Sequence, residues 1–109
     1  MSDHKCHALA CPNPCPPRWL MCKPCWRLVS PETQAEVYRT VSLRGSRCDA
    51  TWAPWWRAQA TAIAENGRAR GVTFRSGRTI EDYLAKEFAF ADKLEERATP
   101  LTIGGSNAR

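Results

Sequence analysis

Cys22-Lys-Pro-Cys25 sets two thiols a knuckle's width apart. Three more, Cys6, Cys11 and Cys15, stand just upstream, and only Cys48 lies apart. Short-range pairs suit a metal ion, whereas a disulfide framework ties distant segments together. Zinc takes four soft or borderline ligands, arranged most simply as two chelating pairs. A C-x2-C pair can also be a redox motif, but the alternating strand–helix–strand setting for one is missing here.

The second pair is either Cys6 with Cys11, a C-x4-C, or Cys11 with Cys15, a C-x3-C. Both spacings fall in the knuckle range. The Cys11–Cys15 loop contains Pro12 and Pro14, and Pro16 follows it. Proline lacks the N–H that would donate to a thiolate, and its fixed φ limits how a loop wraps an ion. The Cys6–Cys11 loop, His-Ala-Leu-Ala, keeps its N–H donors. Local chemistry thus favours Cys6 and Cys11 with Cys22 and Cys25 around one structural Zn²⁺, and leaves the alternative pair open. The runner-up set takes Cys15 in place of Cys6, and His7 is a weaker candidate, as is His4. Four thiolates carry a formal −2 around the ion, which Lys5, Arg18, Lys23 and Arg27 can offset. Such a site is closed, with no open position for water. Cys48 is expected in the core.

Catalytic constellations are missing. The chain has no H-E-x-x-H, no phosphate-binding G-x-x-x-x-G-K-[ST] and no G-x-S-x-G. A zinc deaminase needs H-x-E ahead of P-C-x-x-C, and neither half is met. Glu81, Asp82, Glu95 and Glu96 are spaced like a solvated helix face. An enzyme with a small-molecule substrate is not expected.

Binding is. The net charge is +5, and it is uneven: residues 1–30 carry +3, residues 31–79 carry +4 through eight arginines against four acids, and residues 80–109 carry −2. Arg68, Arg70, Arg75 and Arg78 surround Phe74, and basic groups interleaved with aromatics are the footprint of phosphate contact plus stacking. The plain alternative is a set of solvated arginines. Five tryptophans point another way, with Trp52, Trp55 and Trp56 crowding five positions. Tryptophan and arginine are favoured at protein interfaces. Trp26, Trp52 and at least one of Trp55 and Trp56 are expected in the core. Adjacent helical residues face about 100° apart, so the cluster cannot be wholly buried on one helix. The partner is thus nucleic acid, or alternatively a host protein, with Trp55 and Trp56 on the binding surface.

These groups must be carried by a chain of 109 residues, which fits one domain. Prolines 12, 14, 16 and 17 keep residues 4–27 in turns, with a short extended piece at Trp19–Met21. Ser30-Pro31-Glu32 opens a helix reaching Thr40 or Ser42, capped by Ser30 but without the acid of a full capping box. Asp49 or Thr51 caps a second helix over 53–65, stopped by Asn66-Gly67. Residues 71–80 suggest a hairpin turning at Ser76-Gly77. Thr79 caps a third helix ending near Arg97, with Pro100 closing it and a loose tail over 99–109. The polar N-terminus has no apolar stretch of a secretory signal, and no run approaches the ~18 apolar residues of a membrane span. A reducing cytoplasm is expected, which keeps thiols available to metal.

The stretch C-H-A-x-x-C…P-P-R-x-L-M-C-x-x-[CH]-W-R-x-V, from Cys6 to Val29, resembles a group of small phage-encoded zinc-finger-like proteins. Their following helix, Pro-x-x-x-Gln-x-x-V-[WY], is matched by Gln34, Val37 and Tyr38, with Pro31 slightly shifted. In that group the position of Cys25 is commonly His and that of Cys15 commonly apolar. The resemblance therefore implies that Cys25 is a ligand and Cys15 the spare. It covers about residues 4–66 and implies a setting in the cytoplasm of a bacterial host. The fold expected is α+β and mainly α: a zinc knuckle segment over 1–30, then a helical region over 31–98 with three helices and one short β-hairpin. The function expected is zinc-stabilised binding in transcription or DNA transactions of a phage or mobile element, or an adaptor or inhibitor acting on a host protein.

Overall fold

The structure, a computed structural model, describes residues 5–16 and 19–103, with side chains through Glu96. His4, Arg18 and the expected tail beyond residue 103 lie outside the described residues. Among the described residues four α-helices follow in order: α1 (Lys23–Trp26), α2 (Pro31–Val41), α3 (Ala53–Arg70) and α4 (Ile80–Ile103). None is long and apolar enough to cross a membrane.

The described part of the cysteine-rich segment is turns and bends, except that the second knuckle opens into the single helical turn α1. Cys22 is its N-cap and Pro24 occupies its first turn, where a missing N–H is harmless. Gln34 ties this turn to α2 by donating from Nε2 to the carbonyls of Trp26 (2.8 Å) and Val29 (3.2 Å).

Helix α2 begins as its sequence dictates, with Ser30 Oγ accepting from Thr33 N at 3.2 Å. The acid missing from its capping box comes from another helix. Glu65 on α3 accepts from Ser30 N (2.9 Å) and from Thr33 Oγ1 (2.5 Å), so α2 and α3 are joined at the cap.

A 3-10 turn, Ala50–Trp52, leads into α3, with Asp49 accepting from Thr51 N as its cap. Helix α3 does not stop at Asn66-Gly67. It continues to Arg70 and ends on Gly71, whose φ of 70° is the left-handed conformation glycine adopts without strain. Asn66 and Gly67 are buried inside it. A Cβ at Gly67 would come within 3.1 Å of Ile80 Cδ1 and 3.5 Å of Leu9 Cδ1. The glycine is there for close packing, not for a turn.

The expected hairpin over 71–80 is absent: no strand occurs among the described residues, whose one β feature is an isolated bridge between Lys5 and Pro14. The α+β expectation is corrected to a helical fold. The physical reason is competition for a short segment. Thr79 is drawn into the cap of α4, where Thr79 Oγ1 accepts from Asp82 N (3.0 Å) and Asp82 Oδ2 accepts from Thr79 N (2.9 Å). Too little chain is left between Gly71 and Thr79 for two paired strands. Gly77, at φ 84°, makes a tight turn back to the Phe74 carbonyl instead. Helix α4 then runs past Arg97 and through Pro100 to Ile103.

Two buried clusters hold the helices together. The first joins Cys6, Ala8, Met21, Cys22, Cys25 and Val29 to Val37 of α2 and Ala58, Ala62 and Ile63 of α3, with Trp26 and Trp55 packed against it. The second joins Ala53 of α3 to Ala91 and Leu94 of α4, flanked by Trp52, Trp56 and Phe90. Trp26 and Trp52, expected in the core, are not fully buried, and neither Trp55 nor Trp56 is; each lies half-buried at the edge of a cluster. The row of alanines on α3 lets the neighbouring elements approach its backbone closely. Outside the clusters, Arg57 of α3 bridges to Asp92 and Glu95 of α4, both at 2.7 Å.

Candidate metal centre

The Sγ atoms of Cys6, Cys11, Cys22 and Cys25 all lie within 4.8 Å of one another. Cys11 is 3.9 Å from Cys22 and 3.7 Å from Cys25. Zinc–thiolate bonds of about 2.3 Å in a tetrahedron place sulfurs roughly 3.8 Å apart, so the group could hold one metal ion with little adjustment. Cys6, Cys22 and Cys25 are buried and Cys11 is half-buried.

Local backbone shapes both halves of the cluster. In the Cys6–Cys11 loop, Ala8 N donates to Cys6 Sγ (3.5 Å) and Cys11 N turns back to the Ala8 carbonyl (3.3 Å). Closing that loop puts Ala10 at φ 56°, a left-handed conformation disfavoured by about 1–2 kcal/mol for a residue with a Cβ. The loop is anchored at its start by Cys6 N donating to the Asn13 carbonyl and His7 N to the Leu20 carbonyl, both at 2.9 Å. In the second half, the helical turn of α1 brings Cys25 round to face Cys22, and Asn13 Nδ2 donates to Cys22 Sγ at 3.7 Å.

Proton affinities are pulled apart within the cluster. Burial raises the Cys22 thiol, but donors outweigh it: the Cys25 backbone N–H, the Asn13 amide and the Cys25 and Cys6 thiols leave it at about 7. Burial, and then the thiols of Cys22, Cys11 and Cys6, push Cys25 up to about 12. Burial likewise raises Cys6. Four thiols this close cannot all ionise unless a cation shares their charge.

The remaining thiols stand apart. Cys15 is not in the group; its Sγ donates to the Trp19 carbonyl at 3.7 Å. Cys48 is exposed, not packed in the core as expected, because it sits in the polar bend leading to the 3-10 turn. His7 is exposed beside the cluster.

Two residues of α3 that sequence reasoning cast otherwise hold the cluster from behind. Asn66, fully buried, donates from Nδ2 to the Cys25 carbonyl at 2.8 Å. Arg70 donates from Nη1 to the Leu9 carbonyl (2.7 Å) and to Asn66 Oδ1 (2.9 Å), and from Nη2 to the Ala10 carbonyl (3.3 Å). One helix turn thus grips both chelating loops. The i, i+4 spacing of Asn66 and Arg70 was the only sequence signal, and it does not say what the pair would reach.

The expected basic face around Phe74 is accordingly divided. Arg70 is turned onto the metal loop and Arg68 pairs with Glu81 at 3.1 Å. Arg75 and Arg78 are exposed, with the Arg78 guanidinium 5.7 Å from the centre of the Phe74 ring. Trp56 faces α4, donating from Nε1 to Glu87 at 2.9 Å and packing on Phe90 at 4.6 Å between ring centres. Trp55 instead helps line a groove of about 790 Å³ that runs beside the thiol cluster, between α1 and the faces of α2 and α3. No family profile matches the chain, and neither the curated proteins nor the solved structures contain a match to it.

Proposed function

We propose that this chain is a structural-zinc module that binds nucleic acid. The observation that carries the zinc assignment is the convergence of four thiols, three of them buried, at tetrahedral spacing. Zinc prefers soft thiolate ligands in closed four-coordinate sites, and such sites contribute their binding energy to folding. Four protein ligands leave no position for a reacting water, which argues for scaffolding and against catalysis. The purified chain should contain one zinc per molecule by elemental analysis. A strong chelator should lower its melting temperature, and added zinc should restore it. A chain that holds no zinc and melts identically with and without chelator would sink the assignment.

Nucleic acid as the partner is supported by the net charge of +5 and by the exposed Trp19 ring beside Lys23. The setting, transcription or DNA transactions of a phage or mobile element in a bacterial cytoplasm, rests on the sequence resemblance. A second reading, an adaptor or inhibitor of a host protein, is favoured by the exposure of Leu28, Leu43 and Tyr38, apolar surface of the kind protein interfaces use. Anisotropy titration of labelled DNA separates the two. Binding that weakens steeply with salt supports nucleic acid; no binding at low salt removes it.

A further inference from the structure

We infer that the groove beside the thiol cluster is a single-strand site, taking unpaired bases against its aromatic walls and the phosphate backbone along its basic rim. This deepens the nucleic-acid reading and rests on it. Three observations on the groove point to that occupant.

Its walls are aromatic and open. Tyr38 is 63% exposed and Trp19 42% exposed. Trp26 stands edge-on to Tyr38, with ring centres 5.8 Å apart. An exposed ring stacks on any base, which has a flat face whatever its sequence.

Its charge is of one sign. Among the described residues that line it there are Lys23 and Arg44 and no carboxylate. Lys23 Nζ lies 6.0 Å from the Trp19 ring centre. Arg44 is fixed between Trp52 and Trp55, at 4.5 and 4.4 Å from their ring centres. Trp52 is itself tied down, donating from Nε1 to the Gly45 carbonyl at 3.0 Å. The Arg44 Nε is buried with no hydrogen-bond partner among the described residues. The cation is therefore held by stacking, and no ion pair to it occurs among the described residues. An anionic partner complements such a rim.

The long helices outside the groove are poorly suited to a duplex. Reading duplex DNA requires an element that enters a groove and a basic face that follows the backbone. Helix α4, the longest, carries six acids against two lysines over 80–96. On α2 and α3, Arg39 pairs with Glu36, Arg57 with Asp92 and Glu95, and Arg68 with Glu81. A concave aromatic site is also useless to bases already stacked inside a duplex, whereas a single strand can splay them out. A protein segment would need main-chain or side-chain partners, and the groove offers few polar groups besides Gln59, His7 and the Tyr38 hydroxyl. Stacking and charge without such partners suit sequence-tolerant single-strand binding.

The test uses the full zinc-loaded chain and labelled oligothymidylate, a mixed-sequence duplex and an acidic peptide containing phenylalanine, each titrated by anisotropy at low and moderate salt. The expected result is binding of the single strand in preference to the duplex. Tyr38→Ala should weaken it by roughly tenfold, since a stacked base is worth about 1–3 kcal/mol. Lys23→Gln should reduce the salt slope by about 0.7, one phosphate contact on a single strand. Both side chains are exposed, so circular dichroism and zinc content should be unchanged. Arg75→Ala with Arg78→Ala should leave binding as it was. Preference for the duplex, or loss of binding through Arg75 and Arg78 with Tyr38→Ala silent, would overturn the groove assignment while nucleic-acid binding stood. Binding of the acidic peptide alone would overturn both and make the occupant a protein.

Discussion

Asn66 shows how much one side chain can carry. Its amide spans from the Cys25 carbonyl to the Arg70 guanidinium in a fully buried position. Leucine there would fill similar space but remove one hydrogen bond from each partner, the Cys25 carbonyl keeping Leu28 N and the Arg70 guanidinium keeping the Leu9 and Ala10 carbonyls. A hydrogen bond is worth about 0.5–1.5 kcal/mol, and one to a charged group about 1.5–3 kcal/mol, so Asn66→Leu should lower the melting temperature by ten degrees or so, at about 4–8 °C per kcal/mol for a domain of this size. Scanning calorimetry on zinc-loaded protein checks this; an unchanged melting temperature would mean that the amide is dispensable. The cysteines separate more sharply. Cys11→Ser removes a member of the cluster and should abolish stoichiometric zinc retention in a competition with a chromophoric chelator. Cys15→Ser alters a thiol outside the group, one that donates to the Trp19 carbonyl, and should retain the metal. Equal zinc loss from both would show that Cys15 is a ligand.

At the scale of the element, the start of α2 is completed from α3. Ser30 and Pro31 begin the helix locally, while Glu65 satisfies the Ser30 N–H that a capping-box acid would otherwise take. Burial raises the Glu65 carboxyl, but the donors at Thr33 and Ser30, with Arg68 adding a smaller pull, hold it below the usual carboxylate range. A carboxyl whose folded-state pKa is depressed contributes stability that is full above its unfolded value, about 4.3, and is lost as pH falls through the lower folded value. Glu65→Gln should therefore be less stable than the wild type at neutral pH by about 1 kcal/mol. The gap should narrow below about pH 4. Urea unfolding of both proteins across pH reads this directly, and a gap that stays constant would assign the effect to packing. The nearby Asn66-Gly67 is a different lesson. As a dipeptide it signals a turn, yet both residues lie inside α3 because Asn66 finds buried partners and Gly67 admits Ile80 and Leu9. The hairpin expected over 71–80 failed for a related reason: Val72 and Phe74 are strand formers, but Thr79 and Asp82 form a cap, and Ile80 is buried at the first position of α4.

At the scale of the molecule, the thiol cluster is part of the main core and not an appendage of the first thirty residues. Cys6, Cys22 and Cys25 pack with Val37, Ala58, Ala62 and Ile63, so metal removal should be felt in α3. Hydrogen exchange after chelation should quicken most at Ile63–Arg70, where Asn66 and Arg70 lose their fixed carbonyl partners. It should quicken least around Ala91–Leu94, in the second cluster. Uniform acceleration along the chain would mean that the two clusters melt as one. The sequence by itself determined what depends on neighbours in the chain: thiols at knuckle spacing, Ser30 and Thr79 as caps, prolines that exclude helix from residues 11–17. Spacing, φ restriction and cap chemistry act over a few residues and survive whatever the rest of the chain does. Tertiary structure alone decided which arginines are spent internally, that Asn66 and Glu65 reach across to Cys25 and Ser30, and that Tyr38 and Trp19 are left facing an open groove. Those contacts join residues far apart in sequence, so they exist only once α2, α3 and α4 have docked, and docking is set by the close approach that the alanines and Gly67 of α3 allow.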